Sequence, residues 1–116
     1  MTTHWETIHV EDRGLFRIHV DVTPEHQNPD DHFDDDGETA QAIADGRYDW
    51  FMVRVQARVA DVVLGEDYLG ACCYENAFDF VRAPSDYYED MIKEATDEAQ
   101  NKLAKLAAIY NLTKEN

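Results

Sequence analysis

Carboxylate, histidine and cysteine are the side chains of this chain that could do chemistry, and their spacing decides which chemistry is open to them. There are 25 Asp and Glu, five His and two Cys among 116 residues. From Glu25 to Glu38 the chain reads EHQNPDDHFDDDGE, with seven carboxylates and no Lys or Arg. A calcium loop of the EF-hand type needs oxygen ligands at positions 1, 3 and 5, Gly at 6 and a bidentate Glu at 12. With Gly37 at position 6, His32, Asp34 and Asp36 fall at 1, 3 and 5, but Ile43 falls at 12. The first and last ligands are missing, so an EF-hand is excluded and only a loose, nonspecific cation site is left. His9 and His19 can face each other across a hairpin and offer two ligands to a transition metal. A third, Asp21 or Glu11, would be needed, and no spacing motif calls for it. Neither a metal nor a cofactor is expected.

Catalytic constellations are weaker still. The sequence has no G-x-S-x-G, no glycine-rich phosphate loop and no H-E-x-x-H. A general acid needs surroundings that raise its pKa, and Asp34-Asp35-Asp36 in a loop containing Pro29 reads as solvated. Cys72 and Cys73 are neighbours, which on a strand point to opposite faces and disfavour a mutual disulfide. One buried and one partly exposed thiol are expected, with no C-x-x-C redox or zinc motif. The chain is read as a non-enzyme with no catalytic residues.

The elements that must position these groups follow from periodicity. Trp5 to Asp12 and Leu15 to Thr23 both alternate and read as a hairpin. Keeping Ile8 and Val10 on the side of Phe16, Ile18, Val20 and Val22 requires Asp12 to oppose Phe16, with a three-residue loop between them. Val10 then faces Ile18, Glu11 faces Arg17, and His9 faces His19. Glu38 to Asp45 predicts a short helix after the acidic loop, stopped by Gly46. Trp50 to Leu64 carries the strongest strand pattern: Phe51, Val53, Val55, Ala57, Val59 and Val63 share one face, and Trp50, Met52, Arg54, Gln56 and Arg58 the other. Gly65-Glu66-Asp67 reads as a turn into a fourth strand, Tyr68 to Glu75, and Asn76 to Val81 as one turn of helix.

Pro84-Ser85 opens a long helix with Ser85 as N-cap and Asp86, Glu89 and Asp90 in its first turns, where carboxylates suit the helix dipole. Its buried stripe runs through Tyr88, Met91, Ile92, Ala95, Ala99, Leu103, Leu106 and Tyr110. The fold expected is a single α+β domain over residues 1–116. A four-stranded antiparallel sheet packs against the long C-terminal helix, with a short helix after the acidic loop.

The charge restricts the partners. A net charge of −15 opposes direct binding to nucleic acid or to anionic membranes. No apolar run has transmembrane length and the first residues lack a signal-peptide pattern, so a cytoplasmic location is expected. From Glu66 to Asp90, seven acids accompany the single Arg82, with Tyr68, Tyr74, Tyr87 and Tyr88 among them. Tyrosine is suited to protein interfaces. Spaced carboxylates on a rigid frame can stand in for phosphates and be accepted by a basic groove. The partner-binding residues expected are Asp30, Asp31, Asp34, Asp35 and Asp36 in the loop and Glu66, Asp67, Asp86, Glu89 and Asp90 beyond it. The bland alternative is a solvated acidic face that serves solubility.

The stretch Asp49 to Val81, DWFMVRVQARVADVVLGEDYLGACCYENAFDFV, resembles small acidic proteins of phages and mobile elements. In these an arginine-bearing strand leads into an LG-x-D-Y-LG-x-C-x-Y turn followed by an acidic helix. The resemblance implies an anti-defence inhibitor, of the anti-CRISPR or anti-restriction type, that meets a basic nucleic-acid-binding complex of the host by nucleic-acid mimicry. The alternative is a self-associating accessory module, a homodimer formed through the exposed sheet face or the C-terminal helix.

Overall fold

The computed structural model describes residues 4–82 and 86–114. The strands β1 (Glu6–Arg13), β2 (Phe16–Pro24), β3 (Asp49–Val59) and β4 (Val62–Tyr74) form one antiparallel meander in the order β1-β2-β3-β4. A single 3-10 turn, Pro29–Asp31, and the helix α1 (Glu38–Ala44) lie between β2 and β3; α2 (Asp79–Arg82) and the long α3 (Asp86–Lys114) follow β4. This is the α+β architecture that the periodicities predict. Ser85, the expected N-cap, lies outside the described residues.

α3 lies along β4 and overlaps β3. The covered face of the sheet therefore carries the core: Phe16, Ile18, Val20, Phe51, Val53, Val55 and Ala57 are all buried, and Met91, Ile92, Ala95 and Ala99 of α3 close over them. Phe80 of α2, fully buried, fills the end near Tyr74 and Tyr88, with ring centroids 5.8 and 6.0 Å away. Gly65 sets the helix–strand distance. A Cβ there would stand 1.9 Å from the Ala95 carbonyl oxygen, so only glycine lets the two backbones come this close.

Three expectations are corrected. In the first hairpin, Arg13 opposes Phe16 and Asp12 opposes Arg17, leaving a two-residue loop, Gly14-Leu15, in place of three. Val10 accordingly faces His19 and is 42% exposed, while His9, Glu11 and Arg13 sit on the covered side. An apolar β1 face is not required there, because the first turns of α3 bring polar partners down to it. The Tyr88 hydroxyl donates to Glu11, and Arg13 donates to Glu11 at 2.7 Å and to both Glu89 oxygens at 3.0 and 2.9 Å. Ile8 still packs against the core because the register shifts between Thr7 and His9, the single extra residue of a β-bulge.

The second correction is the β3–β4 turn. It falls at Ala60-Asp61, both with positive φ (49° and 65°), and Gly65-Glu66-Asp67 lies inside β4. Positive φ at both central residues is the geometry whose twist suits a two-residue hairpin. No glycine marks it, so the apolar alternation runs through the turn unbroken. The third concerns the helix stripe. Leu103 is half-buried, but Leu106 and Tyr110 are 50% and 62% exposed. The sheet ends near Leu103, and the rest of α3 projects beyond it, giving a molecule 66 Å long and only 29 by 23 Å across.

Candidate functional site

Apart from Glu89, the acidic residues of interest fall into three places. The first is the segment between β2 and α1, folded over the sheet end at Trp50. The Trp50 indole donates to the Gln27 carbonyl at 3.0 Å, and His32 and Phe33 rest against its ring. Asp31, Asp34 and Asp36 are exposed, as is Asp30, whose backbone N–H donates to the Asn28 side chain. Asp35 is structural: it accepts from the backbone N–H and the hydroxyl of Thr39 in the first turn of α1. The neighbouring Glu25 is also structural, accepting from the backbone N–H of Ala71 at 2.8 Å. Its carboxyl lies below the usual range: burial works against this, and the N–H groups of Ala71, Gln27 and His26 outweigh it.

The second place is a cleft of about 450 Å³ between β4 and α3. Asp67 opposes Val55 and so points to the helix side of this edge strand; Glu66 opposes Gln56 and bonds on the other side. Across from them α3 contributes Glu94, Asp97 and Glu98, with Lys102 and Lys105 at the far end. Residues 90, 94 and 97 recur at helical spacing on one flank, which puts the exposed Asp90 on the same line. Glu66 is held ionised below the usual carboxylate range, first by the Gln56 amide that donates to it at 2.9 Å and also by the Tyr68 hydroxyl. Lys93 offsets part of the field through its 2.7 Å pair with Asp97.

Glu89 stands apart from both. It turns to the β1 flank and pairs with Arg13, whose guanidinium pulls its carboxyl below the usual range. The side chain of Asp86 lies outside the described part of the molecule. The structure thus joins Glu66, Asp67 and Asp90 into one acidic surface and separates Glu89 from it. Glu94, Asp97 and Glu98 are the residues that sequence reasoning missed. Their signal was present, since they continue the flank of Asp90 at helical spacing, but it needed the correct placement of β4 to matter. Along the strand, Gln56 lies six residue steps from Trp50, about 20 Å, so the loop and the cleft are distinct surfaces.

The open face of the sheet, which carries Trp50, Met52, Arg54 and Arg58, is the third place, and a polar and aromatic network occupies it. Asp21, 1% exposed, accepts from Thr7 at 2.6 Å and from Arg54 at 3.0 and 2.6 Å. Trp5 covers Arg54 with its ring centroid 4.5 Å from the guanidinium, and Tyr68 meets Trp5 edge-on at 6.0 Å. His9 and His19 lie on opposite faces and cannot share an ion as the predicted register would allow. His19 instead stands beside Gln56 and Arg58 with its Nε2 buried and unbonded. Burial, and next the Arg58 charge, push its pKa down. Among the described residues no group of three or more His, Cys, Asp or Glu is placed to hold a metal ion.

Cys72 is buried, its thiol raised to about 12 by burial; Cys73 on the opposite face is partly exposed. Among the described residues no helix is long and apolar enough to cross a membrane. Comparison with protein-family models, with curated proteins and with solved structures found no match.

Proposed function

We propose that the protein is a non-enzymatic acidic inhibitor. In this reading it occupies the nucleic-acid-binding surface of a basic complex in the host cytoplasm and acts by mimicry of nucleic acid. One observation carries the reading. Asp90, Glu94, Asp97 and Glu98 place four carboxylates within nine residues of a rigid helix, beside Glu66 and Asp67. At 1.5 Å rise per residue this is about one charge per 4 Å, against one per 3.4 Å along each strand of DNA. A groove that releases counterions to bind phosphate gains from such a row for the same reason. The anti-defence class of target comes from the resemblance of Asp49 to Val81, and the exposed loop acids Asp30, Asp31, Asp34 and Asp36 extend the field.

The test is a tagged pull-down from bacterial lysate with nuclease present, comparing the native protein with Glu94→Lys/Asp97→Lys/Glu98→Lys and with Asp31→Lys/Asp34→Lys/Asp36→Lys. The reading requires that the native protein retain a basic nucleic-acid-binding complex that elutes with salt, and that the helix variant lose it. Retention undiminished in both variants rules mimicry out. A second reading, a self-associating accessory module, is favoured by a different observation: the exposed apolar end of α3.

A further inference from the structure

We infer that the projecting end of α3 is a docking helix for another protein, one that offers an apolar groove between two carboxylate-bearing rims. It is a site apart from the acidic surfaces and acts whether or not those mimic nucleic acid.

From Ala104 to Lys114 the helix runs on for about 16 Å beyond its own sheet. Its side chains do not become polar there: Leu106, Ile109 and Tyr110 are 50%, 57% and 62% exposed. At about 100° per residue these three form a stripe roughly 100° wide, the width that suits a core. The stripe lies on the same side of the helix as Ala95 and Ala99, which the sheet buries. It is core-like surface with no cover from its own sheet, and such surface marks an interaction site. Leu103, Leu106, Ala107 and Tyr110 also repeat at i, i+3, i+4 and i+7, the spacing by which a groove holds a helix.

Charge supplies the chemistry of the partner. Acids line α3 as far as Glu98, but from Ala99 to Lys114 it carries Lys102, Lys105 and Lys114 and no acid. Lys93 is paired with Asp97 at 2.7 Å, whereas among the described residues none of these three is ion-paired. In a chain with 25 acids, three ammonium groups are thus left for something else. Two of them frame the stripe. Lys105, on the side of the β4 cleft, stands about 40° outside Ile109. Lys114 stands about 40° outside Tyr110 on the opposite edge, 5.9 Å from the centre of its ring. Lysine stems can lie along apolar walls while the ammonium reaches the rim. Carboxylates on both rims would fix the register of the helix and select the partner.

Two other occupants fit less well. A second copy of the same end has lysine on both edges, so stripe-to-stripe pairing sets lysine beside lysine in either direction. A bilayer is flat, whereas the sheet stands on the stripe's side of α3. Its near end holds Leu15, which lines a groove with Leu103, and the acids Asp12 and Asp61. A membrane would meet these before it reached Leu106, and anionic lipid repels the rest of so acidic a chain.

The test is photo-crosslinking from within the stripe. In a Cys73→Ser background, Thr113→Cys is labelled with benzophenone maleimide and irradiated in nuclease-treated bacterial lysate, and the cross-linked peptides are sequenced. The expected result is one foreign protein, joined through apolar peptides that carry Asp or Glu. Leu106→Glu and Lys105→Glu/Lys114→Glu, each with an unchanged circular dichroism spectrum, are expected to reduce capture about 10-fold or more. Lys105→Arg/Lys114→Arg should keep it, and so should Glu94→Lys/Asp97→Lys/Glu98→Lys, which separates this site from the acidic row. Cross-links to the chain itself, with a dimer on sedimentation, overturn the proposal in favour of self-association. Flotation of the native protein with phosphatidylglycerol vesicles overturns it in favour of a membrane. No capture, or capture that the Lys105→Glu/Lys114→Glu variant leaves unchanged, overturns the acid-rimmed groove.

Discussion

Gly65→Ala is the substitution that tests the architecture most sharply. The backbone of Gly65 has no positive φ, so its role is not conformational; the structure needs the absence of a Cβ. That atom would meet the Ala95 carbonyl oxygen at 1.9 Å and the Ala99 nitrogen at 2.9 Å. Ordinary contact begins at 3.4 Å, so α3 must retreat by about 1.5 Å from β4 to admit one methyl. Overpacking of a core costs about 1–3 kcal/mol where side chains can yield. Here the obstacle is helix backbone, and the upper end, about 3 kcal/mol, is expected. For a domain of this size that is a fall in Tm of about 12 °C. Urea unfolding followed by far-UV circular dichroism and by fluorescence of Trp5 and Trp50 would measure it. Repeating the substitution in an Ala95→Gly background gives the specific check: the clash is with a main-chain oxygen, so removing the Ala95 methyl should restore nothing. A loss below about 0.5 kcal/mol, or clear rescue by Ala95→Gly, refutes the close-approach argument. The same retreat would widen the cleft between Asp67 and Glu94, Asp97 and Glu98, so any binding through that row should weaken along with stability.

Two further outcomes follow from the open face of the sheet. Arg54→Met leaves the buried Asp21 carboxylate with Thr7 alone and is expected to cost about 3–5 kcal/mol; adding Asp21→Val should recover part of it, and equal damage from the single and double variants would show that the pair is not the cause. His19, whose folded pKa is lowered, holds its proton more tightly in the unfolded chain. Stability from this residue is therefore complete above the ordinary histidine range near pH 6.5 and is lost as pH falls from there through the folded value. Melting curves between pH 7.5 and 5 should fall more steeply for the native protein than for His19→Gln, and parallel curves would discard the assignment.

The corrections share one origin. Alternation assigns residues to a face but carries no marker for where a strand turns. Val59 and Val63 look like one strand because the Ala60-Asp61 turn contains no glycine, and the cost of two left-handed residues is offset only by the pairing it permits. The β1 register went astray for a related reason: apolar matching assumes an apolar cover, whereas Tyr88 and Glu89 arrive from more than seventy residues away to satisfy Glu11 and Arg13. Helical spacing, in turn, reveals that Leu106 and Tyr110 share the stripe of Ala95 and Ala99. It is silent on how far the sheet reaches beneath them.

What the amino-acid order determined by itself is local: the alternating strands, the long amphipathic helix, the glycine and proline punctuation and the excess of acid. These depend on period, on backbone preference and on net charge, all of which are properties of neighbours along the chain. The tertiary structure decided which carboxylates stand together, which are consumed as caps and ion pairs, and which apolar side chains are left uncovered. Those outcomes depend on register and on the ends of elements. A shift of one residue reverses a face, and a sheet that stops at Leu103 turns the same helical stripe from core into surface.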